Sequence, residues 1–277
     1  MNSNLRIEAI TPIFSYGTNR EQPEIRPSSI RGQLRWWLET LGHSKSEIED
    51  IFGKIAGNNG EASKVIVRVA EVKATTAESR LNAHKTHWRP EPAFAPGAQF
   101  TLSVSTRRNP LKPDQEQTLQ SALDAWLTLG TLGRRATRGG GSVQSADSPE
   151  TEASWKQKSG ELLARTGYQL ILGRTAYARE EEARKVICDT LAPEAFGRHD
   201  PLGFARGRNR KSSRLRLRVQ RFADADRNRP YRISALWLGG EGEPELTTVL
   251  RTLQSGGPNR QPKRIGEELQ NGEVIVP

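Results

Sequence analysis

Between Ser213 and Gln220 the chain reads SRLRLRVQ, a pattern that belongs to a β-strand. Leu215, Leu217 and Val219 fall on one side of an extended backbone and Arg214, Arg216 and Arg218 on the other, because successive strand side chains point to opposite faces. Such a strand needs an apolar core under its leucines and leaves three guanidiniums in register on the opposite face. Same-face neighbours stand roughly 6.5–7 Å apart at ~3.3 Å per residue, close to the phosphate repeat of an extended nucleic-acid strand. The alternative is a solvated face that uses charge to discourage edge pairing.

The charge around this strand is local. The 277 residues carry 42 Lys and Arg against 32 Asp and Glu, a formal +10. The segment Arg198–Arg232 holds eleven arginines and Lys211 against Asp200, Asp224 and Asp226, which is +9 of that surplus. Arg206, Arg208, Arg210 and Lys211 read as a basic loop leading into the strand. Arg supplies 31 of the 42 cations, and its planar fork meets phosphate oxygens two at a time. A confined, arginine-rich surplus is the footprint of a polyanion partner.

Other classes are disfavoured. No apolar run approaches the ~20 residues of a membrane helix. The opening MNSNLRIEAITP lacks the charged and apolar regions of a signal peptide. Cys188 is the sole cysteine, so neither an intrachain disulfide nor a Cys-based zinc site is available; among apolar helix positions it reads as buried and inert. No spacing of His or carboxylates suggests a metal site, and no cofactor motif is present. The expectation is a cytoplasmic chain without membrane contact.

Element order suggests two similar units. Leu5–Ile10, Val65–Val72 and Gln99–Ser105 read as strands. Ile30, Leu34, Trp37, Leu38 and Leu41 share one helix face, with Ser28 or Ser29 as N-cap and Gly42 as stop. Thr75–Gly97 reads as a long loop or hairpin insertion, and Leu119–Leu129 as a second helix. Ser145–Ser159 has linker composition. Beyond it, Tyr168–Leu172, Ser213–Phe222, Tyr231–Leu238 and Val274–Val276 read as strands, Ala178–Leu191 and Pro244–Leu253 as helices. Both halves give β-α-β-β-α-β, the ferredoxin-like order that also underlies RNA-recognition modules. The expected fold class is α+β: two ferredoxin-like (RRM-like) domains with loop insertions, residues 1–146 and 147–277.

Two further segments carry chemistry. In Arg26–Trp37 (RPSSIRGQLRWW), Arg31 and Arg35 lie on one helix face, a like-charge pair that costs a few tenths of a kcal/mol unless an anion faces it. The helix start offers free N–H groups and a positive dipole end to phosphate. Gly32 is about 0.5–1 kcal/mol worse than Ala inside a helix, which fits a close backbone approach to a ligand or another element. Trp37 reads as core; Trp36, on a flank, as core or as a stacking surface. In Leu129–Val143 (LGTLGRRATRGGGSV), glycines let N–H groups converge on an anion while Arg134, Arg135 and Arg138 supply charge. The segment lacks the ending of a Walker loop and follows a helix, unlike a dinucleotide-binding turn. Catalytic constellations are sparse. His84-Lys85-Thr86-His87 could serve metal-independent RNA cleavage, or could be a surface loop tip.

These residues resemble a known family. Thr11-Pro-Ile-Phe14, the stretch Glu24–Trp37, Ile51-Phe-Gly53, Ser63 and Leu132–Val143 are similar to the first-numbered RAMP subunit of Cmr (type III-B) CRISPR effector complexes. Pro201-Leu-Gly-Phe204 and Ser213-Arg-Leu215 resemble a second RAMP-like unit. The resemblance implies a non-catalytic RNA-binding subunit in antiviral defence. It would cap a ribonucleoprotein filament near the 3′ part of the guide CRISPR RNA and help hold guide and target single-stranded RNA beside other Cmr RAMP subunits. It places Arg26, Ser28, Arg31, Arg35, Arg134, Arg135, Arg138 and the Gly139–Gly141 backbone (Gly140 included) against RNA, and the residue pattern adds Arg210, Arg214, Arg216 and Arg218. The enzyme alternative is a RAMP endoribonuclease that processes guide precursors with His84 or His87 and Lys85.

Overall fold

A computed structural model describes residues 2–54, 60–83, 90–107, 111–188, 201–206, 209–240, 244–255 and 264–277. Four strands form the first sheet: β1 (Asn2–Ala9), β2 (Val65–Lys73), β5 (Gln99–Thr106) and β6 (Val143–Ser145). They lie in the order β2-β5-β1-β6 with every neighbour antiparallel. Helices α1 (Pro27–Thr40), α2 (Lys45–Phe52) and α3 (Pro113–Leu129) complete this unit. A hairpin of β3 (Thr76–Ser79) and β4 (Glu91–Phe94) is the insertion. The second sheet runs β10-β11-β7-β12, again antiparallel throughout. Its strands are β7 (Gln169–Leu172), β10 (Leu215–Arg221), β11 (Tyr231–Trp237) and β12 (Glu273–Val276). Helices α5 (Glu180–Cys188), α6 (Leu246–Ser255) and α7 (Arg264–Gln270) pack on it, and β8 (Phe204–Arg206) with β9 (Asn209–Lys211) makes a small hairpin. Each sheet places its unit's second, third, first and fourth strands in that order, the ferredoxin-like arrangement twice.

Alternation builds the sheets. On β5, Phe100, Leu102 and Val104 are buried while Thr101 and Ser103 face outward. On β10, Leu215, Leu217 and Val219 are fully buried. In α1, Ile30, Leu34, Trp37 and Leu38 form the buried stripe. This helix starts earlier than its apolar pattern predicts: Arg26 is the N-cap in extended backbone and Pro27 the first residue, so neither Ser28 nor Ser29 caps it. Proline suits that position because its φ is already helical and its missing N–H would have no partner there. α3 likewise begins at Pro113, where Gln115 accepts the Lys112 N–H at 3.0 Å.

The stretch with linker composition is partly a helix, α4 (Glu152–Leu163). Thr151 caps it, accepting the Ser154 N–H at 3.1 Å. Its Trp155 is fully buried, donates to the Thr128 carbonyl at 3.0 Å and stands 5.7 Å from the Phe222 ring. Leu170, Leu172, Phe222, Leu236 and Leu238 join the first unit's core through this contact, while Ile171, Ile233 and Ala235 pack into a second core with α5, α6 and α7. The second sheet is therefore covered on both faces. It offers no open platform of the kind that RNA-recognition modules use.

Candidate nucleic-acid interface

The loop Gly130–Ser142 joins α3 to β6 and lies where the two units meet. Gly139 (φ +70°) and Gly141 (φ +64°) have left-handed backbone, which glycine adopts without steric cost. The N–H groups of its three consecutive glycines have partners inside the protein: Gly139 donates to the Leu217 carbonyl at 2.9 Å, Gly140 to that of Arg135 at 3.1 Å and Gly141 to that of Pro12 at 2.9 Å. A Cβ on Gly141 would overlap the Leu132 carbonyl. The loop therefore docks on β10, and the amides of Gly139, Gly140 and Gly141 are engaged there and within the first unit rather than turned to an anion. Arg138 follows the same logic. It is 3% exposed and donates across the interface to Ser213 Oγ (3.1 Å), the Leu215 carbonyl (3.3 Å) and the Leu202 carbonyl (2.8 Å).

The arginine row of β10 is graded by the same contact. Arg214 is exposed. Arg216 is half-buried, its guanidinium carbon 3.5 Å from the ring centroid of Trp36 on α1. Arg218 is buried and donates to the Leu127 carbonyl at 2.9 Å and to that of Val143. Burial pulls Arg216 down to about 10 and Arg218 down to about 9, the latter opposed by Glu150. Both stay protonated at neutral pH. The row that spacing presents as a phosphate track thus becomes largely an interface between units. Its neighbour Arg221 makes a bidentate pair with Glu8 (2.9 and 2.6 Å).

Arg31 and Arg35 also have internal partners. Arg31 donates to the Phe52 carbonyl at 2.6 Å and Arg35 to the Gly53 carbonyl at 3.1 Å, at the C-terminus of α2. Cations stabilise that negative helix end, so the dipole of α2 fills the role that the like-charge spacing assigns to an external anion. Burial first, then the nearby Arg35 and Arg107, lowers the pKa of Arg31.

What remains open is a cleft of about 730 Å³ on the first unit. Its walls are Phe14–Gly17 and Arg20 from the loop after β1, Ser29, Gly32 and Gln33 from α1, and Leu132–Arg134 from the loop after α3. The Arg134 N–H donates to the Phe14 carbonyl at 2.8 Å, tying two walls together. Arg20, Arg26 and Ser28 are exposed nearby; Arg26 reaches the Tyr16 carbonyl at 3.5 Å. The Arg134 side chain is 50% exposed and pairs with Glu91. An exposed pair of this kind is worth about 0–1 kcal/mol, so a phosphate can replace the carboxylate. Arg135 holds a left-handed φ of +60° beside them. Ser29, Gly32 and Gln33 of the α1 motif and Arg134 of the α3–β6 loop, separate in sequence, thus meet at one concave surface, while Arg31, Arg35 and Arg138 turn to acceptors inside the protein.

The side chain of Arg210 and residues Arg208, His84, Lys85 and His87 lie outside the described residues. Two interface residues carry no sequence signal. Arg184 on α5 is 2% exposed, donates to the Arg80 carbonyl at 3.0 Å and lies over the Phe14 ring. Trp155 sits in a stretch that is otherwise polar. Cys188 is buried, as its setting predicts. Among the described residues, no cluster of three His, Cys, Asp or Glu could hold a metal, and no helix is long and apolar enough to cross a membrane.

With two ferredoxin-like sheets and this cleft established, the class of protein follows. The RAMP superfamily model matches residues 6–144, and the chain belongs to that superfamily. It is 26% identical over 180 residues to the CRISPR system Cmr subunit Cmr1-2 of Pyrococcus furiosus, covering 50% of this chain and 91% of the relative. In fold it is similar to the crystal structure of apo Cmr1 from Pyrococcus furiosus, with a TM-score of 0.59 and 17% identity over 89% of this chain and 90% of that one. A chain of the type III-B Cmr-beta complex bound to cognate target RNA and AMPPnP has a TM-score of 0.57 and 12% identity, covering 84% of this chain and 93% of that one.

Proposed function

We propose that this chain is a non-catalytic RNA-binding subunit of a type III-B Cmr effector. In this reading it holds guide CRISPR RNA and paired target RNA at the filament end near the guide 3′ part, beside other RAMP subunits. The observation that carries the reading is the cleft between α1 and the α3–β6 loop, where Arg20, Arg26 and Arg134 gather around a concave surface. The superfamily membership and the Cmr1 relatives support the assignment to this complex.

Phosphate contacts dominate such binding and release counterions, so affinity falls linearly with salt on a logarithmic scale, with a slope near −0.7 per contact for a single strand. Anisotropy of a fluorescein-labelled 20-nucleotide single-stranded RNA, titrated at several salt concentrations, tests this. Arg26→Ala with Arg134→Ala should weaken binding uniformly across sequences and reduce the slope by about 1–1.5. An unchanged slope with unchanged affinity would remove the cleft from the interface. Copurification from native cells, followed by RNA sequencing and protein identification, tests the assembly. Recovery without CRISPR RNA or RAMP partners would overturn it.

A further inference from the structure

Gly32 is explained neither by the backbone nor by the packing of α1. It lies inside the helix, is exposed, and its φ is not positive. A Cβ placed on it would meet nothing within 4 Å. Alanine is the better helix residue at such a position. Yet Gly32 lines two cavities at once. One is the arginine-rimmed cleft. The other is a groove of about 580 Å³ bordered by Arg35, Trp36, Glu39, His43, Lys45 and Ile48.

Trp36 in that groove is half-exposed and held from two directions. Arg216 of the second unit stacks on it at 3.5 Å, and the Trp37 ring meets it at 77° with centroids 4.9 Å apart. Both neighbours fix the indole before any ligand arrives, while part of it still borders the groove. An aromatic platform next to a phosphate-binding cleft is how single-stranded nucleic acid is read without sequence preference, since every base has a π-face.

We propose that single-stranded RNA crosses α1 over the bare backbone of Gly32, passing from the arginine cleft into the second groove, where one unstacked base lies against Trp36. Gly32 provides clearance for the strand, and Arg216 acts as a positioning residue for the indole. The inference rests on the RNA-binding reading above and adds a path and a base site to it.

The test uses the full chain, the labelled 20-nucleotide RNA and thermal melting. Gly32→Ala should raise the melting temperature by about 1–4 °C, because helix propensity improves in open space, and should weaken RNA binding. Gly32→Leu should weaken binding about tenfold while melting no lower than the parent. A purely structural glycine would show the opposite sign in stability. Trp36→Ala should cost about tenfold in affinity, and Trp36→Phe should recover most of it. A 5-iodouridine RNA should crosslink to the peptide containing Trp36. Stabilised Gly32 variants that bind RNA like the parent overturn the crossing. Crosslinks confined to Tyr16, with none at Trp36, overturn the base site. If Arg26→Ala with Arg134→Ala also leaves binding unchanged, the RNA-binding reading itself has failed. If only those arginine variants lose affinity, the path alone has failed.

Discussion

Arg138→Ala separates the two roles that this arginine could play. Its guanidinium is 3% exposed and donates to Leu202 at 2.8 Å, Ser213 at 3.1 Å and Leu215 at 3.3 Å, all in the second unit. Hydrogen bonds to a charged group are worth about 1.5–3 kcal/mol, and acceptors left buried without a donor cost about 1–3 kcal/mol more. The lost contacts therefore amount to about 3–5 kcal/mol. At roughly 2–4 °C per kcal/mol for a chain of this size class, the melting temperature should fall by about 6–20 °C. Arg134→Ala is the control: that side chain is 50% exposed, so it should melt with the parent and lose RNA affinity. Calorimetry and RNA anisotropy on both variants give the answer. If Arg138→Ala melts within about 2 °C of the parent while losing RNA binding as Arg134→Ala does, the guanidinium faces RNA. The interface assigned to it would then be wrong.

Three further outcomes follow from the geometry. Gly139→Ala should destabilise the fold by about 1–2 kcal/mol in urea unfolding, because its φ of +70° is left-handed; an unchanged midpoint would count against the loop conformation. Arg31→Ala with Arg35→Ala should uncap α2 and cost about 1–3 kcal/mol, with faster amide exchange confined to α2 and its contacts; even protection across the chain would argue against capping. Glu152 is raised by burial, but hydrogen bonds from Lys156 and Arg232 outweigh this and hold it below its ordinary 4.5. A depressed carboxylate stabilises the fold above its unfolded pKa, and that contribution is lost as pH falls through the folded value. The stability gap between the parent and Glu152→Gln should therefore be widest near pH 7 and close as pH falls below 4.5 and through the folded value; a gap independent of pH would refute the pairing.

The repeated topology was legible because it depends on local signals. Alternation marks β5 and β10, and the stripe of Ile30, Leu34, Trp37 and Leu38 marks α1. α4 was not legible, since Trp155 is the only apolar anchor in its first two turns and that anchor packs against Thr128 and Phe222, far away in sequence. The glycine loop was half legible. Its composition shows that backbone amides converge with arginines, but a carbonyl oxygen and a phosphate oxygen accept from the same donors. The pattern cannot distinguish β10 from RNA as the acceptor, and at Gly139 and Arg138 the acceptors are Leu215 and Leu217 of β10, Ser213 just before it and Leu202 before β8.

The charge surplus divides for the same reason. Counting along Arg198–Arg232 finds a net +9, yet Arg218 is buried, Arg216 covers an indole, Arg221 pairs with Glu8 and Arg232 with Glu152. Both glutamates lie outside the counted segment, so a sum taken by position includes the cations and omits the anions that neutralise them. The field at a cleft depends instead on cations within about a Debye length, ~8–10 Å, that are exposed or held only by weak surface pairs. Arg20, Arg26 and Arg134 meet that condition in residues 1–146, which hold 19 Lys and Arg against 14 Asp and Glu, outside the segment with the largest local surplus. A segment without the densest charge can thus present an anion site when its exposed cations converge and the denser run elsewhere is buried or paired.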